Sequence, residues 1–348
     1  MTSLIRQAGK QLVKRVVSPL ADRAGLFDAR IDCLLAPANR LLILMYHRVI
    51  TDPAADPFSL GMCVQQKHFA QQMAWLASHA HVLSLRDAVE RMLDNAPLPS
   101  RSVAITFDDG YADNLTVAAP ILRQYGLPAT FYIVTGGLEE GTPLWWDQVI
   151  GMVATTGATH LPTAELGLSG LPAHLPLHPA SRRRDSCVRL LDAIWDHNAA
   201  DIAAILDRLE RLLKPHSQPV LAAPRLSIAQ LQQLAGQDFE IGGHTHSHVD
   251  PRLLDRTQLA HELAHSRQHL QQLCQQPIDS FAYPGGRSSV WMPDLLAQAG
   301  FHHAVDTRRG INQLPINRYA LVRVGMPDTP VSDFKRAIRN LDIISSAS

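Results

Sequence analysis

The chain reads as short apolar runs, each ending in polar residues, separated by stretches with helical spacing. Leu41-Leu42-Ile43-Leu44-Met45-Tyr46 runs into His47 and Arg48, and Ser102-Val103-Ala104-Ile105-Thr106-Phe107 runs into Asp108, Asp109 and Gly110. Pro128 to Val134 is broken by Gly136-Gly137, and Phe239 to Gly243 leads into His244. Ser280 to Tyr283, Gly300 to Thr307 and Tyr319 to Val324 complete the set. Runs of this kind predict buried strands. Between them, Phe69, Met73, Leu76 and Ala77 share a helical face, and Leu85 to Leu93 predicts a second helix. Both are expected in an outer layer packed on the strands. Tyr111 to Leu122 and Asp255 to Gln272 predict further helices. Strand and helix signals alternate at least six times, which predicts parallel strands with helical crossovers. A β/α barrel and an open doubly wound sheet both satisfy that alternation, and both gather the C-terminal ends of their strands.

Three segments fall outside this pattern. Residues 1–40 form an N-terminal helical extension, in which Leu4, Ile5, Leu12, Val16 and Leu20 share a face beside Arg6, Lys10, Lys14 and Arg15. A helix packed on the domain explains that face, and so does peripheral contact of residues 1–20 with an anionic membrane. Residues about 147–225 form a mostly helical insertion within a domain spanning 41–330, and 331–348 a C-terminal helix and tail.

With 348 residues and 46% hydrophobic content, the chain can hold one large α/β domain. Lys plus Arg and Asp plus Glu both total 32, so no global field draws it to nucleic acid. Cys33, Cys63, Cys187 and Cys274 form no CxxC pair, which argues against a zinc ribbon or a disulfide framework and for a reducing compartment. No apolar window reaches the ~18 residues of a membrane span, and the start lacks the apolar run of a secretory leader. A cytoplasmic location is expected, peripheral to the inner membrane if the first helix binds lipid. No protein partner is inferable.

The chemistry concentrates in two places. Asp108 and Asp109 are adjacent carboxylates at a strand end, and burying either is costly without a compensating cation or proton. A metal answers this: one carboxylate ligates it and the other stays free as a base. More than a hundred residues on, His244-Thr245-His246-Ser247-His248 ends another strand. The two outer His are four apart, a spacing that places imidazoles on one side of a helical turn. Two His and one Asp form a common catalytic metal set with a position open for water. Adjacency leaves open which aspartate does which job. His261, His265 and His269 also repeat every four residues; without carboxylate or cysteine support they read as a hydrated helix face. Arg182-Arg183-Arg184 reads the same way. Trp145-Trp146 reads as the buried start of a helix or as a stacking platform for a sugar ring.

With both motifs in place, the chain resembles the polysaccharide deacetylases with a NodB-type domain, similar to carbohydrate esterase family 4. Their T-F-D-D-G stands here as Thr106 to Gly110, and their H-[ST]-x-x-H as His244 to His248. The M-Y-H-x-[VI] stretch of the exopolysaccharide-associated branch matches Met45 to Val49. The similarity runs from about Leu41 to about Pro327. It implies a distorted (β/α) barrel of about seven strands, incompletely closed. It implies a divalent metal, with Zn²⁺ suited to the donors, held by Asp109, His244 and His248. Asp108 is then the base, and the backbone N–H of Tyr111 faces the oxyanion. The implied substrate is an N-acetylated glycan, either a polysaccharide or a lipid-linked precursor. The implied reaction is hydrolysis of the acetamide.

Two motifs depart from the family pattern. The third usually carries an arginine; here Tyr283-Pro284-Gly285-Gly286 is preceded by Ala282. The last usually reads L-x-H, with the His as general acid; here it is Leu321-Val322-Arg323. Arginine stays protonated and donates no proton at neutral pH. Arg323 is expected to stabilise charge or to hold Asp108, and His47 becomes the candidate acid. A deformylase or cyclic-amide hydrolase on the same fold is an alternative, as is a glycan-binding protein that has lost catalysis.

Overall fold

The computed structural model describes residues 25–214, 223–237 and 239–345. Six strands lie side by side in chain order, all parallel: β1 Arg40–Tyr46, β2 Ser102–Phe107, β3 Thr130–Ile133, β4 Glu240–Gly243, β5 Ser280–Ala282 and β6 His303–Val305. Sequential parallel neighbours are what right-handed βα crossovers produce. Every residue of β2 is buried, as expected for a strand covered on both faces.

The sheet curls toward a barrel. Beyond β6, a short antiparallel strand β7, Ile311–Gln313, runs along the start of β1. The chain then returns between β6 and β1. Leu321 bridges Val305 in parallel, and β8, Val324–Gly325, pairs in parallel with Leu44 and Met45. The expected last strand, Tyr319 to Val324, is therefore interrupted. It makes one bridge to β6 and two pairs to β1, so the seventh stave closes the barrel only in part. The break has a cause: the Arg323 N–H turns to the carbonyl of Arg308 and its side chain fills the interior. A final strand β9, Ile343–Ser345, adds to β7.

Alternation along the strands divides the core. Leu42, Leu44 and Tyr46 of β1 face outward with Val103, Ile105, Phe107, Phe131 and Ile241. The outer helices cover them: α1 Leu26–Leu35, α2 Gln66–His79, α4 Ala119–Gln124, α8 Ile228–Ala235, α9 Arg256–Cys274, α10 Met292–Ala299 and α11 Val331–Ile338. In α2 the buried stripe is Phe69, Met73 and Leu76, while Ala77 is exposed. Capping boxes at Ser227 and Asp255 satisfy the first N–H groups of α8 and α9.

Leu41, Ile43, Ala104, Tyr132, Ala282 and Val305 instead face inward. Helix α3, Leu85–Leu93, belongs to that inner cluster rather than to the outer layer. This corrects the outer-layer expectation. Its stripe of Leu85, Ala88, Val89 and Met92 plugs the N-terminal end of the barrel, where Arg86 reaches Glu240 and Asp279 beside the starts of β4 and β5.

The region after β3 builds a second core. Helices α5 Trp145–Thr155, α6 Arg183–Trp195 and α7 Ala199–Leu213 pack with a two-stranded ribbon, His160–Pro162 against His174–Pro176. Its Val149, Val153, Leu190, Ile205 and Leu209 are buried. Residues 1–20, for which membrane contact is one expectation, lie outside the described residues. Among those described, no helix is long and apolar enough to cross a membrane.

Candidate metal centre and active site

Strand β2 delivers Asp108 and Asp109 at its C-terminal tip. The turn is tight. Asp109 sits at φ 80° and Gly110 at φ 78°. A side chain at 110 would be strained by that φ and crowded by Ile133, 3.1 Å from where its Cβ would lie. Asp109 adopts the same left-handed region with a side chain, a cost of order 1 kcal/mol or more that functional sites commonly carry. The turn is pinned on both sides of Tyr111: Leu226 N–H donates to Gly110 O, and Ala112 N–H to Pro224 O.

Strand β4 delivers the histidines. Residues 244–248 form a bent loop, not a helical turn, with Thr245 and His248 at positive φ. Thr245 Oγ1 accepts from His248 N–H at 3.0 Å. Glu262 of α9 accepts from the N–H groups of His246 and Ser247 and from the Ser247 hydroxyl. That loop, rather than helical spacing, brings the two imidazoles together.

His244 Nε2 lies 3.4 Å and His248 Nε2 3.5 Å from Asp109 Oδ1. Bonds of ~2.0–2.2 Å to one tetrahedral ion set their donors about 3.3–3.6 Å apart. Two further observations fit an ion. Asp109 Oδ2 is buried with no hydrogen-bond partner. The ring of His244 meets the Ala282 carbonyl through Nδ1 at 2.7 Å. A carbonyl only accepts, so Nδ1 carries the proton and neutral His244 presents the Nε2 lone pair to the cluster. Ala282, at the place of the missing third-motif arginine, thus contributes its backbone. Among the described residues, this is the single His/Cys/Asp/Glu cluster with donor atoms close enough to share an ion.

The electrostatics follow the geometry. Burial, reinforced by the charge of His244, pulls His248 down to about 3, which keeps it neutral. Burial also pulls His244 down, but Asp109 and Asp108 outweigh it and its pKa is raised. A bound cation must displace that proton.

Asp108 lies beside this set. Burial pushes its carboxyl up, but Arg323 outweighs burial and holds it down to about 2. The guanidinium is fully buried and grips the carboxylate at two points, Nη1 to Oδ1 and Nη2 to Oδ2, both 2.7 Å. It also donates to Thr106 Oγ1 and Asp306 O and lies over the Tyr132 ring. An arginine arriving from the interrupted seventh stave therefore holds Asp108, with Ala282 in the usual arginine position.

Both aspartates, both histidines and His47 line a cavity of about 250 Å³. His47 follows β1, and its carbonyl is tied by Asn114 Nδ2 at 2.8 Å. It is close enough for its charge to lower the pKa of both aspartates. Trp145 and Trp146 open α5, packed edge to face, and both line this cavity. They are helix start and pocket wall at once.

Tyr111 is expected at the site by its backbone N–H only, and Tyr283 and Pro284 of the third motif stand apart from the cavity. The Tyr111 side chain is buried away from the cavity, accepting from Trp146 Nε1 and donating to Asp147. Tyr283 spends its hydroxyl on Tyr319 O at 2.7 Å, and neither it nor Pro284 lines the cavity; Gly285 does. The His261, His265 and His269 rings lie 5.4 and 6.0 Å apart in sequence order. They do not reach the cavity. Sequence reading missed Leu60, Met62, Ile150, Leu191 and Trp195 in the cavity wall, and Glu262 behind the His loop. None has a local motif; only Trp195, an aromatic ending an amphipathic helix, carried a signal.

Asp147 is buried, and burial raises it to about 7 against the opposing bond from Tyr111. With its folded pKa above the unfolded value of 3.8, ionisation costs the folded state progressively between about pH 4 and 7, then levels off. Asp147→Asn keeps an acceptor for Tyr111 without that cost. It is expected to raise stability by roughly 2–4 kcal/mol at pH 8 and by little near pH 4. Urea melts at the two pH values check this, and an equal change at both would refute it.

Comparison with known proteins follows the same residues. A sequence model described as polysaccharide deacetylase matches residues 95–159 and 213–304, which hold both motifs. The poly-β-1,6-N-acetyl-D-glucosamine N-deacetylase of Staphylococcus epidermidis is 35% identical over 107 residues, 28% of this chain and 37% of its own length. Its Staphylococcus aureus namesake is 35% identical over 112 residues, 29% of this chain and 38% of its own. The match thus spans only about a third of these relatives. In three dimensions the Streptococcus pyogenes deacetylase PplD superposes with a TM-score of 0.57 at 18% identity, over 84% of this chain and 95% of its own. IcaB from Ammonifex degensii gives 0.51 at 17%, over 86% and 96%. These likenesses bear on the fold, a distorted half-closed barrel. The family model covers both motif segments, and those motifs meet at one cluster, so over the residues that build the site the chain is similar to the polysaccharide deacetylases.

Proposed function

We propose that this chain is a metal-dependent hydrolase that removes N-acetyl groups from amino sugars of a polysaccharide or of a lipid-linked glycan precursor. The observation that carries this reading is the meeting of Asp109, His244 and His248 beside a separately held Asp108. A divalent ion at the three ligands, with Zn²⁺ suited to them, supplies Lewis-acid polarisation of the amide carbonyl and acidifies water.

The chain's own residues do the rest. Asp108, ionised and fixed by Arg323, accepts the proton of the attacking water. Its low pKa makes it a weak base, but it is always in the accepting form. The backbone N–H of Tyr111, in the pinned turn, is assigned to the developing oxyanion. His47, which lines the same cavity, is assigned as the acid that protonates the departing amine. Trp145 and Trp146 offer apolar faces to the C–H face of the sugar.

The test is acetate release from N-acetylglucosamine oligomers and from poly-β-1,6-N-acetylglucosamine, the polymer named for the staphylococcal relatives. Release that is lost on chelation and restored by Zn²⁺ is expected. No acetate from any of these, with metal present, would sink the assignment. His47→Gln is expected to lower kcat by about 10²-fold or more, the usual scale of a general acid, without changing metal content. Unchanged turnover would remove His47 from the mechanism.

A further inference from the structure

We infer that the site takes the terminal N-acetyl amino sugar of a chain end-on, rather than a residue in the middle of a polymer. This rests on the deacetylase reading above and adds to it the mode of substrate entry.

Helix α6 sets the mode of entry. This helix lies against the cavity and presents Leu191 and Trp195 to it. It is tied at both ends. Near its start, Arg184 Nε donates to Phe58 O at 2.9 Å, and the Arg183 guanidinium donates to the carbonyls of Ala154, Thr156 and Leu177. Just past its end, Asp196 pairs with Arg287 at 3.0 Å. Arg287 also bonds buried Asp250 at 2.7 Å and lies over the Trp195 ring. Trp195 packs so closely on the turn after β5 that a Cβ on Gly285 would stand 2.7 Å from its ring. The same ring reaches the imidazole of His248, 5.4 Å between centroids. So α6 is fastened across the cavity from the loop at Phe58 to the turn at Gly285.

The rest of the rim is also occupied. Leu60 and Met62 stand on the Phe58 side, where Arg48 N–H holds the Met62 carbonyl at 3.1 Å. Trp145, Trp146 and Ile150 of α5 line the cavity too, as do Gly285 and Thr307. A polymer bound mid-chain needs two exits, one on each side of the reacting residue. On this inference, α6 and the Phe58 and Gly285 segments tied to it leave the cavity one mouth. The cavity's volume of about 250 Å³ lies just below the ~300–1,000 Å³ of ordinary ligand clefts, a size for a sugar residue rather than a long run of them. The wall of indole and aliphatic side chains suits the C–H faces of a sugar.

The experiment uses the metal-loaded full chain and a fully acetylated glucosamine tetramer, with products sequenced by tandem mass spectrometry. One acetate lost per chain, always from the same end, is the expected result. Loss from internal residues, or of more than one acetate per chain, overturns the inference while leaving the deacetylase reading intact. No acetate from tetramer or from an N-acetylglucosamine glycoside overturns both. Trp195→Ala removes the largest piece of the α6 wall and is expected to raise internally deacetylated product at least about fivefold. A folded Trp195→Ala enzyme that keeps the end-only pattern removes α6 as its cause.

Discussion

His244→Ala protein is expected to purify with less than about a tenth of the metal held by the wild type, and to lose roughly 10³-fold or more in kcat/KM for acetate release. The size of the effect follows from the ligand count. Three protein donors surround the proposed ion, and removing one leaves two, too few for a catalytic site that also keeps a position open. His244 is also the donor whose tautomer is set from outside, by the Ala282 carbonyl, so no neighbour can replace its lone pair. Metal analysis of the two proteins side by side reads the first half. A thermal titration reads the second without using activity. Zn²⁺ at 1,000 times its Kd stabilises a binding protein by about 4 kcal/mol, so it is expected to raise the wild-type melting temperature and leave His244→Ala unmoved. Equal metal content in both proteins would overturn the ligand assignment.

The barrel was legible because its strands announce themselves twice. Each is a buried apolar run, and each ends in residues that strands do not ordinarily carry. Ser102–Phe107 followed by two aspartates is the clearest, and all six of its residues are buried. Spacing in sequence fails where tertiary contacts decide. Residues 244–248 read as a helical turn, but Thr245 and Glu262 fold them into a loop, and Glu262 lies on a helix that no local pattern links to the site. Leu85–Leu93 has the same amphipathic signature as an outer helix. Whether such a stripe lands outside a barrel or across its end depends on where the chain enters, and the pattern is silent on that. The cavity wall is the extreme case. Leu60, Gly285 and the α6 pair Leu191 and Trp195 come from three separate stretches, and Arg184 and Arg287 tie those stretches together.

Arg323→Met is expected to cost about 3–5 kcal/mol of stability, a fall of roughly 10 °C in melting temperature for a chain of this size. Arg323 is fully buried, and so nearly is Asp108. Taking away the guanidinium leaves a carboxylate in low dielectric with no cation, and burial unopposed drives it toward its protonated form. That form cannot accept a proton from water, so kcat is expected to fall by about 10²–10³-fold. Metal content is expected to hold, because Asp109, His244 and His248 do not bond Arg323. A loss of activity alone would not separate positioning from unfolding, and the double variant does. Adding Asp108→Asn to Arg323→Met removes both charges and so removes the unpaired one, and most of the lost stability should return. Activity should not return, because the base has gone. If the double variant is as unstable as Arg323→Met, the guanidinium matters to the fold through Thr106, Asp306 and Tyr132 rather than through Asp108. If instead Arg323→Met alone keeps full turnover, Asp108 needs no arginine to act, and the buried pair serves the closure of the barrel between β6 and β1.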